Sequence, residues 1–348
     1  MTRDAPRDEA SLERLLSVPS PGAVDALVRC PGDVLVLGAS GKMGPSFVRL
    51  LLAASRAAEA RGAAPRRVHA VARFSNDAER VALADDGATV HRADALDPRA
   101  LAALPDVPTV FHLVGHKFGT TTDPVPTWAN NVVAATHVTD RFRASRLLLY
   151  STGNVYPFTP VARGGSREDD ALAPVSEYAA AVVGRERVFQ HVARRHAAPT
   201  ALLRIFYAHD LRYGVLTDLA LKVRDGVPID LAMGHVTIIW QGDANALAVA
   251  ALPQAAAPEP YVVNITGPRI EPVRRLAERL GERLGRAPVF TGSEAPDALL
   301  GDTTRMQRDL GLPSVDTDTL VDWVAGWVRA GGRVLGKPTH FGVRDGRY

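Results

Sequence analysis

Val34-Leu-Val-Leu-Gly38-Ala-Ser-Gly41-Lys-Met-Gly44 is the stretch on which the reading of this chain turns. Val34 to Leu37 carry no polar side chain, the look of a strand covered on both faces in a parallel sheet. Gly38, Gly41 and Gly44 follow at three-residue spacing. In such a turn the first glycine lets the chain bend sharply, the second lets backbone approach a diphosphate, and the third lets helix and strand pack closely. A helix with apolar positions Phe47, Leu50, Leu51 and Ala54 comes next. Its free N–H groups and partial positive charge would point at the phosphates. The strand before the glycines and the helix after them are the context this motif requires.

The same alternation runs on through the chain. Strands are expected at 33–38, 67–73, 89–91, 109–114, 147–150 and 200–205, with helices over 77–85, 98–104, 125–143 and 175–195. This pattern predicts an α/β fold: a Rossmann-type, doubly wound parallel sheet with a smaller C-terminal α/β lobe for substrate. Later elements are helix 215–225, strands near 229 and over 236–240, helix 242–252, strand 261–265, helix 271–285 and a last amphipathic helix over 317–329. The nucleotide domain is expected over 30–206 with about 236–265, and the substrate lobe over about 207–235 and 266–333. Residues 1–29 read as an N-terminal extension, a short helix through Leu12, Leu15 and Leu16 broken by Pro19 and Pro21. Residues 334–348 read as a tail, loose or reaching a neighbouring subunit.

Composition narrows the function classes. Of 348 residues 46% are hydrophobic, enough for a sizeable core. Lys plus Arg number 41 against 38 Asp plus Glu, a net charge of +3, too balanced for a nucleic-acid or acidic-membrane partner. A single cysteine, Cys30, excludes an internal disulfide and a multi-cysteine metal site. No apolar segment follows the charged first ten residues, and no run approaches a membrane span, so a soluble cytoplasmic protein is expected. His209-Asp210 and His235 show no metal-ligand spacing, and no metal is assigned. Only Lys42, Lys117, Lys222 and Lys337 are lysines.

At the cofactor end, Gly38, Ser40, Gly41, Lys42, Met43 and Gly44, with Val114 closing the fourth strand, are the expected contacts. The second strand ends Ala-Arg73-Phe-Ser75 with no acid at its tip. An acid there would hold the ribose hydroxyls of NAD, whereas an arginine accommodates a 2′-phosphate. Arg73, with Lys42 as a second cation, therefore favours NADP over the alternative, NAD. Asp94 ends the third strand, as an adenine contact or as a cap for the turn at Asp97-Pro98.

Taken together, Gly38-x-x-Gly41-x-x-Gly44, Asp94, Phe111-His-Leu113, Asn131, Leu148-Leu-Tyr-Ser151-Thr152-Gly-Asn154-Val-Tyr156, Tyr178, Leu203-Arg204-Ile-Phe206, His235-Val236, Asp243-Ala244 and Val263-Asn264 resemble the extended short-chain dehydrogenase/reductase superfamily. Within it the chain is similar to NAD-dependent epimerase/dehydratase proteins acting on sugar nucleotides, over about residues 33–330. The resemblance implies a catalytic set of Ser or Thr, Tyr and Lys. The tyrosine exchanges a proton with the substrate oxygen while hydride passes to or from nicotinamide. Thr152, beside Ser151, matches the hydroxyl residue, and Tyr178 the tyrosine. A homodimer through the helices after strands four and five is implied as well.

The lysine is where the sequence departs. Tyr178-Ala-Ala-Ala-Val182 puts valine at the lysine position, and no other Tyr-x-x-x-Lys occurs. A tyrosine with pKa near 10 needs a neighbouring positive charge to serve as a base at neutral pH. Three readings stand. Another cation substitutes, with Lys117 in the polar stretch Gly115-His116-Lys117-Phe118-Gly119-Thr120-Thr121-Thr122 as candidate; Arg185, seven residues past Tyr178, is about 10 Å further along the helix axis. Alternatively, Tyr178 acts only as a hydrogen-bond donor. Or redox catalysis is lost, and the chain is a non-catalytic NAD(P)-binding sensor or structural protein.

His116, Asn154, Tyr207, Arg212 and Trp240 are the expected substrate contacts, around a sugar-like or sugar-nucleotide molecule. Tyr207-Ala-His209-Asp210 departs from the Asn-x-Tyr-Gly-Pro usual in the family, which weakens the transfer of its nucleotide-sugar contacts. The function expected is that of a nicotinamide-dependent epimerase, reductase or dehydrogenase working by hydride transfer.

Overall fold

The computed structural model describes residues 4–117, 119, 122–337 and 339–346. Phe118, Thr120 and Thr121 of the polar stretch after the fourth strand lie outside them, as do Pro338, Arg347 and Tyr348 of the tail. Seven strands form the central sheet: β1 Val34–Leu37, β2 Val68–Ala72, β3 Thr89–Arg92, β4 Thr109–His112, β5 Arg146–Thr152, β6 Thr200–Ile205 and β7 Tyr261–Ile265. All pairings are parallel, in the order β7-β6-β5-β4-β1-β2-β3. The fold is thus the doubly wound α/β architecture expected from the alternation. The strand order reverses at β1, which pairs Val34 with Val68 of β2 on one side and with Thr109 of β4 on the other. Loops leaving the carboxyl ends of β1 and β4 diverge there and open a crevice.

Three strands differ from expectation, β4 first, which stops at His112 and leaves Val114 in the loop after it. β5 runs past Tyr150, because its ladder with β6 continues through Ser151↔Arg204 and Thr152↔Ile205. That places Thr152 at the carboxyl edge of the sheet. The strand expected over 236–240 is instead two bridges, His235–Val236 on Glu271–Pro272 and Ile239–Trp240 on Ala208–His209. Between them the chain passes against Gly267, where a Cβ would lie only 2.0 Å from the Ile238 carbonyl oxygen.

Residues before β1 form two helices, α1 Glu9–Leu16 and α2 Pro21–Arg29. Pro21 starts the second helix rather than preventing it, since a first-turn proline gives up an N–H that has no intrahelical partner. The Ser20 side chain caps it by accepting from the Ala23 amide. Ala23, Ala26 and Leu27 join the sheet core with Val34, Val36 and Phe47. Leu12 and Leu16 of α1 join the second core instead, with Leu219, Trp240, Leu276 and Val324 of the C-terminal lobe.

Downstream of the glycine turn come α3 Gly44–Glu59, α4 Asp77–Asp85 and α5 Pro98–Ala102. The helix expected over 125–143 is α6 Val125–Trp128 and α7 Ala134–Arg141 joined by a π turn, Ala129–Val133. α8 Glu177–His196 follows β5 and is capped by Ser176. The lobe is built on α9 Val215–Asp225, α11 Val273–Leu284 and α13 Thr317–Arg329, with the short α12 Thr304–Asp309 before the last, while α10 Gln241–Ala250 packs on α2 and α3.

Residues of the tail return over this chain's own lobe. The Trp327 indole N–H donates to the Arg333 carbonyl at 3.0 Å. Thr339 donates through its amide and hydroxyl to the Asp218 carboxylate at 2.8 and 2.6 Å. Phe341 is buried in the lobe core, and the Arg344 guanidinium lies 4.2 Å from the Phe158 ring centroid. Among the described residues no helix is long and apolar enough to cross a membrane.

Candidate active site

A cavity of about 840 Å³ opens at the carboxyl edge of the sheet, between the turn after β1, the loop after β4 and the C-terminal lobe. Gly38, Ser40, Gly41, Lys42, Met43 and Gly44 line one end of it. Gly38 has φ of +87°, and a Cβ there would lie 2.8 Å from the Leu113 carbonyl carbon, so only glycine fits at the switch point. At Gly44 a Cβ would lie 2.3 Å from the Ala39 carbonyl oxygen, which is the close packing of strand end on helix start. A Cβ on Gly41 would meet only the Gly38 carbonyl oxygen, at 3.2 Å. Its outer face is open, as approach by a diphosphate requires. These residues fit a dinucleotide.

The other cofactor candidates lie apart from the cavity lining. Arg73 is exposed just past β2 and, among the described residues, has no hydrogen bond or ion pair. Asp94 accepts from the Leu96 amide at 2.9 Å in a local turn, while the cap of the following helix is Asp97, which accepts from the Arg99 amide. Val114 offers its carbonyl to Arg185, and His116 offers its carbonyl to Asn131 at 3.0 Å; Gly115 and Lys117 beside them line the cavity. Lys42 does not sit over the phosphate face. It crosses the crevice so that Nζ donates to the Ala208 carbonyl at 2.9 Å and lies 4.7 Å from the Tyr213 ring centroid.

Thr152 and Tyr178 both line the cavity's inner end, with the Thr152 hydroxyl close enough to act on the Tyr178 phenol while it accepts from the Asn154 amide at 3.3 Å and donates to Asn154 Oδ1 at 3.4 Å. Burial pushes the phenol up from its ordinary pKa; the Arg185 charge and the Thr152 hydroxyl pull it back. Arg185 is therefore the cation beside the tyrosine. Distance along the helix axis is the wrong measure here, because helical side chains lean toward the N-terminus and arginine is long. Its guanidinium is 3% exposed and donates to the Val114 carbonyl at 2.5 Å, Asn131 Oδ1 at 3.0 Å and the Tyr150 carbonyl at 3.0 Å. The π turn buries Asn131 at this spot, where its amide also holds the Thr127 carbonyl at 2.9 Å. A Cβ on Gly115 would lie 2.8 Å from Arg185 Nη1, so the loop after β4 passes close over the arginine.

Val182, at the usual lysine position, is fully buried with Val155, Tyr156, Phe206 and Leu299. Val182 itself does not line the cavity, although its neighbours Phe206 and Leu299 do. Ser151 also lines the cavity, but its hydroxyl is engaged, donating to Glu186, which is 0% exposed and paired with Arg204 at 2.8 Å. Arg204 donates in turn to the Tyr156 hydroxyl and to the Glu168 carbonyl at 3.1 Å. Ser151 thus belongs to a structural network rather than to the hydroxyl pair.

Of the substrate candidates, Asn154, Tyr207 and Arg212 line the cavity. Arg212 is already surrounded by carboxylates, with Glu13 at 2.7 Å, Asp210 at 2.6 Å and Glu9 at 3.6 Å, so it ties α1 to the turn after β6. Trp240 is 0% exposed and packs edge-on against Trp323 at 5.4 Å in the lobe core; its bulk serves packing, not recognition. His112 and His209 are buried and held neutral by desolvation, each pushed down to about 3. His209 Nε2 accepts from the Leu216 amide at 2.7 Å. Among the described residues no three His, Cys, Asp or Glu side chains cluster as metal ligands.

Tyr213, whose phenol lies within electrostatic reach of Tyr178, went unread in the sequence, as did the tail residues Leu335, Lys337 and Thr339 on the cavity rim. The tail has no periodicity to mark it, but the i, i+7 relation of Tyr178 and Arg185 was a readable signal.

The family model of the NAD dependent epimerase/dehydratase family matches residues 34–227, more than half of the chain. Among solved structures, UDP-glucuronic acid 4-epimerase from Bacillus cereus, in complex with UDP-glucuronic acid and NAD, is similar with a TM-score of 0.70 and 18% identity, over 86% of this chain and 99% of that one. DesIV, a dTDP-glucose 4,6-dehydratase from Streptomyces venezuelae with NAD and TYD bound, is similar with a TM-score of 0.70 and 20% identity, over 85% and 97%. Pal from Bacillus thuringiensis reaches a TM-score of 0.69 at 17% identity, over 86% and 99%. No curated protein sequence matches significantly.

Proposed function

The chain belongs to the NAD dependent epimerase/dehydratase family, and from that premise we propose that it is a nicotinamide-dependent epimerase, dehydratase or reductase of a sugar-like substrate, with Tyr178 and Thr152 at the reacting oxygen. The observation that carries this reading is the meeting of Thr152, Tyr178 and Arg185 at the cavity that the glycine turn also lines. Bound nicotinamide would supply the hydride acceptor and donor. The Gly38–Gly44 turn and the start of α3 would hold the diphosphate through backbone N–H groups. Tyr178 would take the proton from a substrate hydroxyl, or return it to a carbonyl. Thr152 would hydrogen-bond the same oxygen and keep it in line with the phenol. Arg185 would favour the phenolate, as an opposite charge at close range does. Having no ionisation of its own in the working range, it would act as a fixed charge rather than a proton relay.

We assign Arg73 to the 2′-phosphate of NADP, since no acid faces it at the end of β2. The test is to denature the purified protein, identify any released nucleotide by mass spectrometry, and titrate the emptied protein with NADPH and NADH. Tighter NADPH binding, reduced about tenfold in Arg73→Ala with NADH unchanged, supports this assignment. Binding of neither nucleotide would end the redox reading. The buried Val182 favours a second reading, a nucleotide-binding protein without turnover. Product analysis by NMR and mass spectrometry of a panel of UDP- and dTDP-sugars incubated with NAD or NADP, with absorbance at 340 nm to detect any net oxidation or reduction, separates the two, with Tyr178→Phe as the silent control.

A further inference from the structure

We propose that the C-terminal tail is the lobe-side wall of the active site, and that Leu335 on this wall sets the size of the molecule that reaches Tyr178. The inference rests on the reading of Tyr178 as the residue at the reacting oxygen. After α13 the described residues form no helix or strand, yet Arg333, Leu335, Lys337 and Thr339 all line the cavity. Alternate residues turn inward, as they do in a chain laid lengthwise along a surface. Leu335 is the apolar member of that row and is half-buried.

Both ends of this wall are fixed. At one end the Trp327 indole holds the Arg333 carbonyl, and the Arg333 guanidinium pairs with Glu9 of α1 at 3.1 Å. At the other, Thr339 holds Asp218 on α9, Phe341 fills the lobe core, and Arg344 pairs with Asp297 and donates to the Ala232 carbonyl at 3.3 Å. The tail then meets the start of the helix that carries Tyr178. A Cβ on Gly346 would lie 2.6 Å from the Val175 carbonyl oxygen and 2.8 Å from Ser176 Cβ, and Ser176 is the cap of α8. Between the fixed ends, residues 334–337 make one hydrogen bond among the described residues, from the Leu335 amide to the Arg212 carbonyl at 3.0 Å. The Arg212 side chain is itself tied to Glu13 and Asp210, so this bond is made to a fixed partner. A loop selects what binds when a rigid scaffold holds it in place, and this one is held at both ends and at Leu335.

Cys30 is the only cysteine and is buried, so a cysteine placed in the cavity reports access through its alkylation rate. Tyr178→Cys supplies it in the full chain, with Asn154→Cys in its place should that variant not fold, since Asn154 lines the same cavity. The wild-type protein gives the background. Rates with iodoacetamide, a small reagent, and N-(1-pyrenyl)maleimide, a bulky one, are read by intact mass, alone and with NADP in excess. Leu335→Ala keeps the amide that meets Arg212 and shortens the side chain. It should speed the bulky reagent severalfold and leave the small one unchanged. Leu335→Pro removes the amide donor and should speed both reagents, by about three- to tenfold, the worth of one hydrogen bond. If Leu335→Ala leaves the ratio of the two rates unchanged with and without NADP, Leu335 does not select by size and the inference is wrong. If Leu335→Pro leaves both rates unchanged, the tail does not wall the path to Tyr178, which overturns it equally. Titration with NADP by tryptophan fluorescence keeps the two readings apart. Labelling that depends on Leu335 without nucleotide binding leaves the wall standing and removes the redox reading; nucleotide binding with labelling indifferent to Leu335 does the reverse.

Discussion

Val182→Lys would write the family's Tyr-x-x-x-Lys spacing back into the chain, and it should fail. The new side chain would begin among Val155, Tyr156, Phe206 and Leu299, at a position that is 0% exposed and outside the cavity lining. An ammonium held there loses its water. Buried lysines reach pKa values of about 5–6, against about 10.4 in an unfolded chain. The folded pKa then lies below the unfolded one, so the penalty is small above pH ~10, grows as pH falls, and levels off below the folded pKa of ~6. At about 1.36 kcal/mol per unit, that is roughly 4–5 kcal/mol at pH 7 and under ~1 kcal/mol at pH 10. A total stability of about 5–15 kcal/mol would be largely consumed at neutral pH. Val182→Met adds bulk without charge and is the proper reference, because overpacking of about 1–3 kcal/mol is then shared. Urea unfolding of both variants at pH 7 and pH 10 gives the comparison. If Val182→Lys matches Val182→Met at pH 7 within ~1 kcal/mol, the ammonium has reached the cavity. The lysine position would then be a silent binding site rather than a sealed core.

Arg185→Met should raise the Tyr178 pKa by about one unit or more, since it removes the opposite charge and leaves burial unopposed. Phenolate absorbance near 295 nm, taken as the difference from Tyr178→Phe in each background, reads it; Arg185→Lys should restore part of the shift, and no shift would remove Arg185 from the tyrosine's surroundings. Gly44→Ala should destabilise by about 1–3 kcal/mol in thermal melts, because its Cβ would lie 2.3 Å from a backbone oxygen that cannot yield without moving the turn; wild-type stability would mean the turn is loose. Glu186→Gln should lower stability by about 3–5 kcal/mol, leaving the Arg204 charge buried without its counter-charge. A loss under ~1 kcal/mol in urea unfolding would show that water enters this network.

Much of the architecture could be read because it is written in short-range patterns. β6, β7, α9 and α13 begin and end where apolar alternation and helical periodicity put them. Pro21 misled, since a proline marks a break or a first turn equally well and only the Ser20 cap tells them apart. Site residues were harder in proportion to their sequence separation. The glycine turn is local, and all of its members face one cavity. Trp240 and Arg212 were read by residue type, aromatic for a sugar face and cation for an anion. Their environments, Trp323 for one and the Glu9 and Glu13 carboxylates for the other, come from segments tens to hundreds of residues away, and only Asp210 is a sequence neighbour of Arg212. No local pattern records such a partner.

The two arginines bound to the α8 face of the sheet show how the chain keeps a charge available at Tyr178 without its lysine. Arg204 meets a carboxylate, Glu186, so its charge is cancelled where it stands. Arg185 precedes Glu186 by one residue, yet its guanidinium meets only dipoles: the carbonyls of Val114 and Tyr150 and the amide oxygen of Asn131. Dipoles satisfy donors without neutralising them, so the net charge still acts on the phenol beside it. Successive helix residues point about 100° apart, which lets α8 send Glu186 to the Arg204 network and Arg185 toward the cavity. Exchanging the two partners would undo this. A carboxylate at Asn131 would pair with Arg185 and cancel the charge Tyr178 depends on, so Asn131→Asp should raise the tyrosine's pKa even though the hydrogen-bond geometry is retained.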